Sequence, residues 1–104
     1  MTSGTFSLSG PLSIYVVASL HAELTRQRDS TRRLTLDLGG VDEIDGAGWQ
    51  LLLVHACDAL QAGQPLQLTN VPACVQDVFA TMGLADWLAT VTVEGPQALK
   101  GLAT

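Results

Sequence analysis

Two periods of apolar residues meet in the middle of the chain. In residues 34–38, Leu34, Leu36 and Leu38 alternate with Thr35 and Asp37, the two-residue repeat of a strand with one face in a core. After Gly48 the apolar positions Trp49, Leu52, Leu53, Ala56, Ala59 and Leu60 recur three and four apart, which is the spacing of a helix face. Between the two patterns lies GGVDEIDGAG, residues 39–48, an acidic, glycine-containing loop. Any chemistry or recognition is expected to concentrate there.

The flanking segments continue the alternation. Phe6 and Leu8 place a strand at 5–9, and Gly10-Pro11 ends it. Ser13 is placed to cap a first helix running to about Arg28, with Ile14, Val17, His21 and Leu24 on one stripe and Leu20 adjacent. The polar stretch 27–33 is its exit. Asp45 is the expected N-cap of the second helix, where its carboxylate also meets the positive end of the helix dipole. Gly46 and Gly48 in that first turn cost helix stability, about 1 kcal/mol each in a helix interior and less at an end. Close approach of another backbone is the expected compensation.

The second helix is expected to stop near Gly63, and Leu66 and Leu68 form the next strand. Pro72 suits the first turn of a third helix with Val71, Val75, Val78, Phe79 and Met82 on its stripe. Gly83 followed by Leu84 reads as its C-cap. Trp87 and Leu88 are expected to fold back on the core, residues 91–93 to make a last short strand, and 94–104 to be a tail or short helix. The order predicts an α/β domain: a mixed sheet of about four strands with three to four helices packed mainly on one face.

Composition narrows the function classes. The 104 residues suit one domain, with its core at about 5–93. A hydrophobic fraction of 47% with 14% charged residues supplies a packed interior and gives no case for disorder. The net charge of -5 argues against nucleic-acid binding, which needs clustered Lys and Arg. The first ten residues lack the pattern of a secretory signal, and no apolar run has the ~18–20 residues needed to cross a bilayer. A cytoplasmic protein without direct membrane insertion is expected. Cys57 and Cys74 stand at neither redox nor metal spacing and read as reduced, small core residues.

Individual residues give little support for catalysis. Asp37 ends a Leu-rich strand as a receiver-domain phospho-acceptor does, but such a site needs an early acidic pair and a later lysine. The first acidic residue here is Glu23, and Lys100 is the only lysine. A solvent-facing or loop-capping role fits Asp37 better. The glycines match neither GxxxxGK[ST] nor GxGxxG. Asp42, Glu43 and Asp45 could meet a hard cation, yet a tight site wants six or more regularly spaced oxygens. His21 and His55 have no second ligand at i+4 and no nucleophile beside them in sequence. Both read as packing or surface residues, and no cofactor is implied.

Charge is laid out unevenly. Arg26, Arg28, Arg32 and Arg33 flank the start of the strand at 34–38, whereas Asp37, Asp42, Glu43 and Asp45 follow its other end. Five strand residues span about 16 Å. A basic end and an acidic end are expected, the acidic one able to steer a basic partner surface.

LDLGGVDEIDGAGWQLLL, AGQPLQLTNVPACVQDVF and the MGL after it together resemble the STAS domain, named for sulphate transporters and anti-sigma-factor antagonists. The resemblance runs from about Leu8 to Leu88. SIYVVASLHAEL and IDGAGWQLLL look like small stand-alone STAS proteins of bacterial signalling operons.

The resemblance implies a non-enzymatic protein-interaction module. In antagonists of this family the hydroxyl directly after the loop aspartate is phosphorylated by a kinase-type anti-sigma factor, and that position falls on Gly46. The switch is therefore expected to be lost, leaving one charge state, because a phosphate would add about 1.5–2 negative charges at a helix N-terminus. Thr35 and Thr69 do not stand at the motif.

Asp42, Glu43, Asp45, Gly46, Ala47, Gly48 and Gln50 are the expected partner-binding residues. The implied partner is an anti-sigma factor or a histidine-kinase-type protein; the alternative is the ATPase subunit of a membrane transporter, with this chain as its accessory. A small-ligand or nucleotide binder is the reading from another class. The family usually opens with two strands, and here there is room for one. A shortened sheet edge makes pairing of two copies an option.

Overall fold

The computed structural model describes residues 3–31 and 33–92. Three strands, β1 (Ser3–Leu12), β2 (Arg33–Ile44) and β3 (Gln67–Thr69), alternate with α1 (Val17–Ser30), α2 (Gly46–Gln61), α3 (Ala73–Thr81) and α4 (Ala85–Val91). The sheet has the order β1-β2-β3, and both pairings are parallel. Among the described residues it is thus a three-stranded parallel sheet rather than the mixed sheet of four expected.

Of the expected last strand at 91–93, Val91 is the last residue of α4. Only a parallel bridge from Leu68 to Thr92 marks where a fourth strand would add. Val93, the tail at 94–104 and Arg32 lie outside the described residues.

β2 organises the molecule. Leu34, Leu36 and Leu38 are buried while Thr35 and Asp37 are half-buried, and Val41 rejoins the core beyond the two glycines. Leu8 and Leu12 of β1 and Leu68 of β3 lie in the same core, covered by Leu24, Leu51, Leu52, Ala56, Ala59, Val75, Phe79 and Leu88 from the four helices. Each fully buried Leu or Phe contributes about 1.5–3 kcal/mol relative to exposure. Phe79 stacks on Trp87 at 5.7 Å between ring centroids and meets Trp49 at 5.9 Å, so α2, α3 and α4 share an aromatic contact.

The strands are longer than their hydrophobic alternation. Gly10-Pro11 does not end β1; register shifts between Ser7 and Ser9 and between Gly10 and Pro11 absorb it, and pairing continues from Pro11 to Glu43 and Leu12 to Ile44. β2 likewise runs through Gly39-Gly40 to Ile44. The backbone hydrogen bonds offered by a parallel neighbour outweigh the local turn signal.

Helix ends follow their sequence signals in part. Gly63 and Gly83 both adopt φ of 75°, and behind them Gln64 N donates to Ala59 O and Leu84 N to Phe79 O, the pattern of a left-handed C-cap. Pro72 is the N-cap of α3, one residue before the expected position. Ser13 does not cap α1, whose N-cap is Val16. It organises the preceding turn instead, its carbonyl accepting from Val16 N and Val17 N and its hydroxyl from Tyr15 N. Ile14 consequently leaves the expected stripe and is 65% exposed.

Leu60 is also exposed, because the buried stripe of α2 is Gly48, Leu51, Leu52, His55, Ala56 and Ala59. Cys57 is exposed, contrary to its reading as a core residue. Cys74 is half-buried against the core.

Candidate functional site

The segment 39–48 is not a loop. Gly39, Gly40, Val41, Asp42, Glu43 and Ile44 finish β2, Asp45 is the N-cap, and Gly46, Ala47 and Gly48 open α2. Recognition there would therefore be presented on a strand end and a helix start.

Asp45 fixes this junction. Its extended backbone turns the chain out of β2, its N–H donates to Leu12 O at 3.0 Å, and its carbonyl accepts from Trp49 N at 2.9 Å. One carboxylate oxygen accepts from Gly48 N at 2.9 Å and the other from Ile14 N at 3.0 Å. Those two N–H groups, Gly48 first and Ile14 second, hold the Asp45 carboxyl below the usual carboxylate range. The same side chain thus caps α2 and ties the turn between β1 and α1 to it.

The two glycines after Asp45 serve different ends. A Cβ on Gly48 would overlap the carbonyl oxygen of Leu12, so the expected close approach of another backbone is present at that position. Gly46 is exposed, and a Cβ there would meet nothing within 4 Å. Packing does not require glycine at 46.

Asp42 and Glu43 are exposed at the end of β2 beside this helix start. Ten residue steps of about 3.3 Å separate Glu43 from Arg33 along β2, roughly 33 Å. Arg26 and Arg28, in the last turns of α1, lie toward the Arg33 end, Arg26 pairing with Glu23.

Ala47 and Gln50 turn toward α1. With Val17, Ala18, His21, Leu51 and Val54 they line a shallow trough of about 370 Å³ between the two helices. Ile14 and the 93% exposed Tyr15 stand on the turn held by Asp45, and Val54 is also exposed. Apolar surface therefore adjoins the acidic end.

The two histidines meet. His21 Nδ1 lies 2.9 Å from His55 Nε2, and Arg28 Nη1 lies 3.2 Å from His55 Nδ1. His55 is 1% exposed. Burial first, then the charge of Arg28 and the proximity of His21, push its pKa down to about 4. Reading each helix alone missed this contact. The available signal was a polar residue on the apolar stripe of each helix: His21 four residues after Val17, and His55 between Leu52 and Ala56.

Among the described residues no three His, Cys, Asp or Glu side chains gather as a metal site. Asp37 accepts from Gly39 N at 2.9 Å, within β2, and from Asn70 Nδ2 at 3.2 Å, just after β3. No helix among the described residues is long and apolar enough to cross a membrane.

Comparison with known proteins places this geometry in a family. The family described as Mlab, STAS domain, matches residues 2–93. Comparison with curated proteins gives no match. Among solved structures, the unphosphorylated anti-sigma factor antagonist SpoIIAA superposes with a TM-score of 0.71 at 17% identity, covering 98% of this chain and 89% of that one. The phosphorylated form of SpoIIAA, a Bacillus cell fate determinant, gives 0.71 at 15% identity over 97% and 91%. A sulfate transporter family protein from Wolinella succinogenes gives 0.71 at 19% identity over 86% and 75%. At these identities the structures speak for the fold, and the family match covers most of the sequence: the chain belongs to the STAS domain family.

Proposed function

We propose that this domain is a non-enzymatic protein-interaction module of the anti-sigma-factor-antagonist type. Its docking surface is the end of β2 and the start of α2, with Asp42, Glu43, Asp45, Gly46, Ala47, Gly48 and Gln50 as the contacting residues. The partner is an anti-sigma factor or a histidine-kinase-type protein in the cytoplasm.

The observation that carries this reading is the exposed first turn of α2, where Gly46 follows the capping Asp45 with open space around it. A Cβ there would meet no described residue within 4 Å, and glycine provides no oxygen to accept a phosphate. The surface therefore keeps one charge state, and the module acts constitutively or is regulated through its partner. Phosphate incorporated into the chain by a partner kinase, read by intact mass, would overturn the fixed charge state.

A second reading is an accessory subunit of a transporter ATPase; the fold serves it equally, since the Wolinella sulfate transporter family structure superposes with the same TM-score as the antagonist. Affinity capture from the source cell, followed by mass spectrometry of what stays bound, separates the two. An anti-sigma factor or histidine kinase in the eluate supports the first reading. A transporter ATPase supports the second.

A further inference from the structure

The contact between His21, His55 and Arg28 has only one arrangement of protons that satisfies it. A guanidinium has donors and no acceptor, so Arg28 must donate to a bare His55 Nδ1. Neutral His55 then carries its proton on Nε2 and donates to His21 Nδ1. His21 in turn accepts on Nδ1 and keeps its own proton on Nε2. The chain of donors runs from Arg28 through His55 to His21, and both ends belong to α1 while the middle belongs to α2.

A proton added to His55 would sit on Nδ1 and face the N–H of Arg28. Two donors then confront each other, and His55 is too buried for water to take over the lost bond. The charged groups acting on His55 are Arg28 and His21 from α1, which disfavour its protonation, and Asp58 on α2, which opposes them more weakly.

We propose that Arg28, His55 and His21 form a proton-sensitive clasp between α1 and α2, closed while His55 is neutral and released by a proton on it. Release lifts α1 from α2 and widens the trough lined by Val17, Ala18, Leu51 and Val54. The clasp does not depend on which protein docks at the start of α2.

Closed His55 titrates at about 4 rather than the usual 6.5, so a clasp free to open should open roughly 20- to 30-fold more at pH 5 than at pH 7.5. Native-state amide hydrogen exchange, expressed as protection factors, measures this directly, with the α3 amides that exchange by local fluctuation as the internal reference, since global unfolding carries the same dependence on His55. The ratio of α1 to α3 protection should fall by that factor in the wild type. In His55→Gln it should hold constant, because a glutamine can bond Arg28 and His21 without titrating. Imidazole nitrogen shifts at pH 7.5 should show His55 protonated at Nε2 and bare at Nδ1.

A wild-type ratio that does not change between the two pH values overturns the clasp, as does an equal fall in His55→Gln or a protonated Nδ1. If His55→Gln fails to fold, the wild-type exchange and the imidazole shifts decide alone.

Discussion

Leu12 and Gly48 meet backbone to backbone: the end of β1 lies against the first turn of α2 so closely that the Leu12 carbonyl oxygen occupies the place of a Gly48 side chain. Gly46, two residues earlier in the same turn, faces open space. Alanine should therefore have opposite effects at the two positions. Gly48→Ala forces β1 and α2 apart and should cost about 1–3 kcal/mol, the range for overpacking a tight contact. Gly46→Ala should be neutral or stabilise by up to about 1 kcal/mol, because it removes glycine's conformational freedom from the unfolded chain. Urea unfolding of both variants checks the pair.

Asp45→Ala removes two backbone partners at once, Gly48 N and Ile14 N. It should lower the melting temperature by several degrees and raise hydrogen exchange in both the first turn of α2 and the turn at 13–16. Because the folded-state pKa of Asp45 lies below its unfolded value, its contribution is complete above the usual carboxylate range. It fades as pH falls through the lowered pKa. Thermal melts of wild type and variant should thus converge in strong acid.

His55 produces a separate acid dependence at higher pH. Its folded pKa of about 4 lies below the unfolded 6.5, so the unfolded chain binds the extra proton and stability is lost as pH falls from about 6.5 to about 4. With about 1.4 kcal/mol for each pH unit between the two values, the loss should reach roughly 3 kcal/mol by pH 4 and level off below it. Unfolding free energies measured from pH 7.5 to 4 should show this slope in the wild type and a flatter one in His55→Gln.

Trp49 offers a test of buried polarity. Its indole Nε1 is buried without a hydrogen-bond partner among the described residues, while its ring packs beside Phe79. Trp49→Phe discards the unpaired N–H and keeps an aromatic ring, so stability should change by no more than about 1 kcal/mol. Phe79→Ala, at a fully buried position, should cost about 3–5 kcal/mol. Denaturant midpoints compare the two.

The parts legible in the sequence were those set by local periodicity and caps. Leu34, Leu36 and Leu38 marked β2, Asp45 marked the start of α2, and Gly63 and Gly83 marked two helix ends because few other residues take φ of 75°. What stayed hidden depended on neighbours distant in sequence. Gly39 to Ile44 read as a loop because glycine and acidic residues are poor strand formers, yet pairing with Ser9 through Leu12 makes them strand. The meeting of His21 with His55 depends on how α1 crosses α2, and a single helix pattern carries no such information. At the site, the resemblance pointed to Gly46, but the open surroundings of that residue and its contrast with Gly48 depend on how β1 meets α2.

The acidic end gives the partner-docking reading its electrostatic content. Asp42 and Glu43 are exposed beside the helix start. The double reversal Asp42→Lys/Glu43→Lys should slow association with a captured partner, and the slowing should shrink as salt rises. Association rates at low and high ionic strength check this. A rate unchanged at both would remove steering from the account.

The most direct test of a constitutive docking surface at the start of α2 is the affinity of one captured partner for wild type, Gly46→Ala and Gly46→Asp, measured by calorimetry. Wild type and Gly46→Ala should bind equally well. Gly46→Asp, which adds a negative charge to the exposed first turn of α2, should bind about tenfold more weakly or worse. Equal affinity for all three, with each variant folded, would contradict docking through this surface.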